Sequence, residues 1–277
     1  MRRQLTRPEQ PRYYNSFGEC IFCRDDNVPL TKEHAIPFAL DGSIVIRGAT
    51  CETCRKITKD IEEINLKGPR SNFGFVRARD LYKSRRPKER IKHVPMIVNR
   101  GAYNIKHNIP IKEAPGILIL PVFGAPGILI GSDVASSLIL YQLKCMNEDI
   151  SAIKAKYGDS FIFSRQFNVP AFIQMLAKIA HCVGVVTYGL DGFDAYLPDL
   201  ILGKRPDLSG YLVGNNPNDL SSTIIPKNKQ RCLVRMMRLR SGLIASSIKL
   251  FCSYDTPTYC VVIGKVTPLG LSKLNPS

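Results

Sequence analysis

Residues 20–56 read CIFCRDDNVPLTKEHAIPFALDGSIVIRGATCETCRK. Two Cys-x-x-Cys pairs, Cys20/Cys23 and Cys51/Cys54, bracket this stretch with 27 residues between them. That spacing is the two-knuckle arrangement of a structural zinc site, in which four thiolates hold one ion and the metal does the work of a small core. Between the knuckles the pattern predicts a short strand near residues 30–36, a turn at Asp41-Gly42 and a second apolar strand over residues 43–46. From Cys51 onward, Ile57, Ile61 and Ile64 fall at helical spacing, with the acids of the first turns opposed by Lys56 and Lys59. The expected order is strand, strand, helix, over a unit spanning residues 18–65.

The rest of the chain is consistent with an α+β protein kept in a reducing compartment. The 277 residues are 44% hydrophobic and 22% charged, so disorder throughout is excluded. The first twenty residues carry charge and prolines where a secretory signal needs an apolar run of about 7–15 residues, and the expected location is the cytoplasm. The longest apolar segment, Val169 to Val186, contains Gln174, Lys178 and His181 and reads as a core helix rather than a membrane span. Asn168 can cap that helix, Pro170 suits its first turn, and its end is expected near Gly184. Lys178 and His181, three apart, read as partly buried polar groups. Two late runs, GLIASSIKLFC and TYCVVIGKV, separated by SYDTP, read as an antiparallel hairpin. Cys145, Cys182, Cys232, Cys252 and Cys260 have no ligand spacing and are assigned to the core.

Charge is distributed unevenly. The formal net charge is +16. Residues 1–65 sum to zero, residues 66–112 carry thirteen Lys or Arg against two acids, and residues 113–277 contribute +5. The middle stretch includes Arg77, Arg79, Lys83, Arg85, Arg86, Lys88, Arg90 and Lys92, with Tyr82 among them as a stacking group. It is broken by Pro69, Pro87 and Pro95, which predicts a connector with short elements. So few acids balance these bases that a contact surface for a phosphate backbone is expected, giving affinity without sequence information. His93 and His107, in the same stretch, receive no role. Residues 113–277 are read as a second, α+β domain of unassigned task.

The stretch from the first knuckle to the second resembles the HNH nucleases, in the variant with a first CxxC, a Glu-His-x-x-Pro signature, a glycine turn and a second CxxC opening the helix. Glu33, His34, Pro37, Gly42, Cys51 and Cys54 carry the resemblance, which covers roughly residues 18–65. A later stretch, LAKIAHCVGVVTYGLDGF, is similar, less specifically, to the C-terminal region of proteins of this group. The resemblance implies a ββα-metal fold, a structural zinc on Cys20, Cys23, Cys51 and Cys54, and a catalytic Mg²⁺ or Mn²⁺. It implies His34 as general base and Glu33 as carboxylate ligand to that second metal; Glu62, later on the helix, is a candidate further ligand. Imidazole, with an ordinary pKa of about 6.5, suits a base near neutral pH.

Two positions depart from the family pattern. Arg55 stands where the family has a metal-ligating His or Asn, and a guanidinium has no lone pair to give; phosphate contact is the role expected of it. No Asn lies between His34 and Cys54, so the residue that braces the family's loop has no counterpart, although Asp41 or Ser43 can cap the turn. The leading expectation is a metal-dependent HNH-type endonuclease acting on nucleic acid, DNA first. The alternative is a non-catalytic zinc-knuckle protein that binds nucleic acid. A third reading, a scaffold whose zinc unit docks another protein, is opposed by the basic connector.

Overall fold

The computed structural model describes residues 10–67, 71–73, 93–100, 103–110, 113–114, 116–132, 137–145, 150–158, 160–162, 166–215 and 231–274. It is mixed α+β, built from several small sheets around one long helix. Near the N-terminus, strand β1 (Arg12–Tyr14) runs parallel to β3 (Ile44–Cys51), which pairs antiparallel with β2 (Leu30–His34) on its other side. Helix α1 (Glu52–Leu66) follows β3 without a break.

The β3 strand is longer than its apolar core, because pairing resumes at Thr31–Thr50 and Leu30–Cys51 beyond an irregularity. Between the pairs Glu33–Ile46 and Thr31–Thr50, β2 has one residue where β3 has three. Such a bulge redirects backbone groups away from the ladder. Here it leaves the Ala49 carbonyl to accept the Ile21 N–H at 2.8 Å, tying the first knuckle to the strand. At the other end of the hairpin a 3₁₀ turn (Phe38–Leu40) closes on Asp41 in the left-handed region. Gly42 follows because a Cβ there would stand 1.9 Å from the Ile36 carbonyl oxygen.

The buried face of α1 is turned from the one the isoleucine spacing predicts. Ile61 is buried but Ile64 is exposed, and the inward positions are Cys54, Thr58, Ile61, Asn65 and Leu66. Two of these are polar because they meet polar partners. The Asn65 amide donates to the carbonyls of Ile61 and Ala171, both at 2.8 Å, and its oxygen accepts from Asn72. Asn72 in turn donates to the Asn168 carbonyl at 2.9 Å and accepts the Asn168 N–H at 2.8 Å. A relay of buried amides therefore binds the end of α1 to the start of the long helix, with each group satisfied as burial requires.

Strands β4 (His93–Arg100), β5 (Tyr103–Pro110) and β8 (Ser160–Ile162) make one sheet in the order β5-β4-β8, over a small core of Met96, Val98, Ile109 and Ala114. Strands β6 (Ile117–Phe123) and β7 (Leu138–Cys145) form an antiparallel pair, followed by helix α2 (Ile150–Tyr157). Helix α3 (Val169–Tyr188) starts at the Asn168 side chain, which accepts the Ala171 N–H at 2.9 Å. It runs one turn past Gly184, because that glycine serves packing rather than termination: a Cβ would lie 2.4 Å from Ile263 Cδ1. Strands β9 (Phe193–Ala195), β10 (Val213–Asn215), β11 (Cys232–Arg238), β12 (Leu243–Leu250) and β13 (Thr258–Val266) form the largest sheet, β12 and β13 being antiparallel neighbours. A helix, α4 (Pro268–Leu274), ends the described chain.

Helix α3 packs on α1 and against the sheet of β11–β13. It is long and apolar enough by length and composition to cross a membrane, but 78% of the qualifying window is buried inside the protein. One hydrophobic core runs from Cys20 and Ile61 through α3 to Ile263. The 18–65 unit and the C-terminal sheet thus share their interior through this helix. Cys182, Cys232, Cys252 and Cys260 lie in that buried interior. The side chain of Cys145 is outside the described residues.

Candidate metal centre and its neighbouring ion cluster

The two knuckles converge. One ligand atom from each of Cys20, Cys23, Cys51 and Cys54 lies within 4.8 Å of the others, and Cys23 Sγ stands 3.7 Å from Cys51 Sγ. Zinc–sulfur bonds of about 2.3 Å at tetrahedral angles put sulfurs about 3.8 Å apart, so the four thiols fit one zinc ion. Cys51 supplies both a ligand and the N-terminal cap of α1: its sulfur accepts the Cys54 N–H at 3.5 Å, while Cys20 accepts the Cys51 N–H at 3.4 Å. Hydrogen bonding from Cys54 and from surrounding backbone N–H groups lowers the Cys20 thiol to about 4, and the same bond raises the Cys54 thiol, so the first thiolate of the cluster rests on Cys20.

Helix α3 supports this centre from behind. The ring of His181, wholly buried, reaches the Ile21 carbonyl through Nε2 at 2.7 Å and lies between Phe22 and Phe193. A carbonyl only accepts, so Nε2 carries the proton. Burial pushes the imidazole down to about 4, so it is neutral at pH 7. Arg24, leaving the first knuckle, pairs with Glu19 and with Asp191 beyond α3, each at 2.6 Å.

Beside the knuckles lies a second polar cluster, centred on Lys178. Its ammonium is wholly buried and stands 2.7 Å from Glu33 Oε1 and 2.9 Å from Glu62 Oε1. It also donates to the His34 carbonyl. The Thr58 hydroxyl stands 3.4 Å from the other Glu33 oxygen and 3.3 Å from the Arg55 carbonyl, so its inward place on α1 gives its single proton an acceptor in either direction. Burial disfavours charge on Lys178, but Glu33 and Glu62 overcome it and hold the ammonium protonated above the ordinary lysine range. Lys178 and His181 are therefore not the partly buried, unconverged groups their spacing suggests. Both are in the interior, and two carboxylates meet at the lysine.

The sequence-derived residues thus fall into three groups. Glu33, Glu62 and the backbone of His34 are brought together, around Lys178 rather than around an open position; the His34 ring itself is half-buried at the end of β2. Arg55 is elsewhere engaged: its guanidinium forms two bonds of 2.7 Å with Glu52 on the exposed side of α1. The basic residues Arg77, Arg79, Lys83, Arg85, Arg86, Lys88, Arg90 and Lys92 lie outside the described residues. Asp41, at the hairpin turn, accepts from Arg231 at 3.3 Å.

A hard divalent ion such as Mg²⁺ requires near-octahedral oxygens at about 2.0–2.1 Å and retains several waters. Glu33 is only 7% exposed and Lys178 is fully enclosed, with the ammonium already at hydrogen-bonding distance from both carboxylates. The residues present fit zinc at the knuckles; they do not fit a divalent ion between Glu33 and Glu62. Because the Arg55–Glu52 pair is exposed and neighbours in the helix, exposed pairs of this kind contribute little. Arg55→Ala is expected to leave the thermal midpoint within error of the parent, and a clear drop in a melting experiment would assign Arg55 a structural role.

A scan against protein-family models finds no match, and searches of curated proteins and of solved structures find no significant relative.

Proposed function

We propose that this chain is a zinc-structured protein of the HNH type that acts on nucleic acid. The observation that carries the reading is the convergence of four thiols around a strand–strand–helix unit, with Glu33-His34 closing the first strand and the second knuckle opening the helix. The charge of +11 over residues 66–112 supports a polyanionic partner. In the endonuclease form of this reading, His34 takes a proton from the attacking water, a contribution typically of about 10²–10⁴ in rate for a positioned base. A second form, binding without hydrolysis, is favoured by the hold of Lys178 on Glu33 and Glu62 and by the pairing of Arg55 with Glu52.

The two forms separate in one set of measurements. Supercoiled plasmid incubated with the purified protein, with and without Mg²⁺ or Mn²⁺, reports hydrolysis, and a His34→Ala control reports whether this site is responsible. Cleavage lost on His34→Ala supports the endonuclease; cleavage retained removes the site from the account; no cleavage with retained binding supports the second form. Binding itself is read by fluorescence anisotropy of a labelled duplex across a salt series. If about five bases of residues 66–112 touch phosphates, log K against log salt slopes near −4 to −5. Replacing Arg85, Arg86 and Lys88 by Gln together is expected to flatten that slope, and an unchanged slope would show that these bases only face solvent.

A further inference from the structure

We infer that Lys178 is the resident cation of the site formed by β2 and α1, a built-in ammonium held by Glu33, which the HNH resemblance makes a ligand to a divalent ion, by Glu62 and by the His34 carbonyl. The inference deepens the HNH reading and rests on it only for the expectation that a cation belongs at this place; the geometry stands by itself. Three oxygens from separate parts of the 18–65 unit, Glu33 Oε1, Glu62 Oε1 and the His34 carbonyl, converge on a single nitrogen. Carboxylates and a backbone carbonyl form a typical donor set for a hard cation. Here that donor set is satisfied by hydrogen bonding from a lysine on α3, 144 residues along the chain from His34. The side chain of Lys178 is wholly enclosed and that of Glu33 nearly so, while that of Glu62 is 30% exposed, so the ammonium already occupies the enclosed position at which an ion would meet both carboxylates.

The charge balance points the same way. Two carboxylates face one ammonium, and Thr58 adds a neutral donor on Glu33. A divalent ion entering beside Lys178 would meet like charge at close range in a poorly solvated place. Removing the ammonium reverses the situation, because two carboxylates would then face each other across a vacated position. Lys178→Met is the suited substitution: the methionine side chain ends where the lysine Cε stands, so it keeps the packing of the stem and vacates only the nitrogen. The inference therefore yields a gain of function, since Lys178→Met converts the cluster into a binding site for Mn²⁺.

The test is titration of Mn²⁺ into full-length protein carrying one equivalent of zinc, with free Mn²⁺ read by electron paramagnetic resonance and no nucleic acid present. The expected result is that Lys178→Met binds one Mn²⁺ at least about tenfold more tightly than the parent, and that adding Glu33→Gln abolishes the gain. Mn²⁺ binding by the parent that is lost in Glu33→Gln overturns the inference, as does a folded, zinc-containing Lys178→Met protein that binds no more tightly than the parent. Should Lys178→Met fail to fold, the comparison of the parent with Glu33→Gln and with Glu62→Gln decides alone: carboxylate-dependent binding by the parent overturns the inference, and its absence in all three supports it. Failure of the nucleic-acid reading is seen separately, as absent anisotropy change with the labelled duplex, and leaves this result standing.

Discussion

Removing zinc from the purified protein is expected to abolish its cooperative melting transition at ordinary temperatures. Binding at four-cysteine sites is worth on the order of 10–16 kcal/mol at pH 7, whereas whole domains are stable by only about 5–15 kcal/mol. The loss should not be confined to residues 18–65. Cys20, Cys51 and Cys54 lie in the same core as α3 and the C-terminal sheet, and His181 fixes the first knuckle to α3 through the Ile21 carbonyl. Without the ion, the three buried thiols of Cys20, Cys51 and Cys54 would leave mutually repelling or protonated sulfurs in that interior, beside the exposed Cys23. The check combines elemental analysis, expected to give one zinc per chain, with circular-dichroism melts before and after treatment with a chelator in reducing buffer. Cys20→Ser should reproduce the effect of the chelator, while Cys182→Ala, in the same core but outside the four-thiol cluster, should cost only what a small buried truncation costs. A chain free of zinc with reduced thiols and an unchanged melt would end the zinc account.

What the sequence made legible is what is encoded locally. Two CxxC pairs at fixed spacing, an Asx-capped helix start at Asn168-Val169-Pro170 and two apolar runs parted by Asp255-Thr-Pro257 each contain their own signal within a few residues. The same locality misplaces the inner face of α1. Isoleucine spacing selects Ile57, Ile61 and Ile64, yet the helix turns Thr58 and Asn65 inward because Glu33 and the start of α3 offer hydrogen-bond partners that periodicity does not see. Gly184 has the composition of a helix end and is instead a place where Ile263 of β13 packs close against α3. The cluster at Lys178 is the clearest case. Its carboxylate partners lie 116 residues away or more, and nothing near Lys178 in the chain says where they are. An available signal was the charge itself: a lysine in a helix that is otherwise apolar or small over residues 169–186, save for Gln174 and His181, has to find an anion if the helix is buried.

Lys178→Met is expected to destabilise the protein by about 3–5 kcal/mol, the usual cost of breaking a buried ion pair by removing one partner. For a chain of this size that corresponds to a fall in thermal midpoint on the order of 10 °C. The loss has two separable sources. One is packing, kept small because methionine retains the lysine stem. The other is the carboxylate left behind, and the two carboxylates are not equivalent: the Glu33 side chain is 8% exposed and that of Glu62 30%. Water can approach Glu62 once its partner is gone, whereas Glu33 must either remain charged in the interior or take up a proton. Adding Glu33→Gln to Lys178→Met should therefore restore more than half of the lost stability, since replacing both members of a buried pair by neutral groups is often nearly neutral. Adding Glu62→Gln should restore clearly less. Chemical denaturation of the parent, the single variant and the two doubles, all loaded with zinc, measures both recoveries. Equal midpoints for the single variant and both doubles would mean that the loss is one of packing and that the ion cluster contributes nothing of its own.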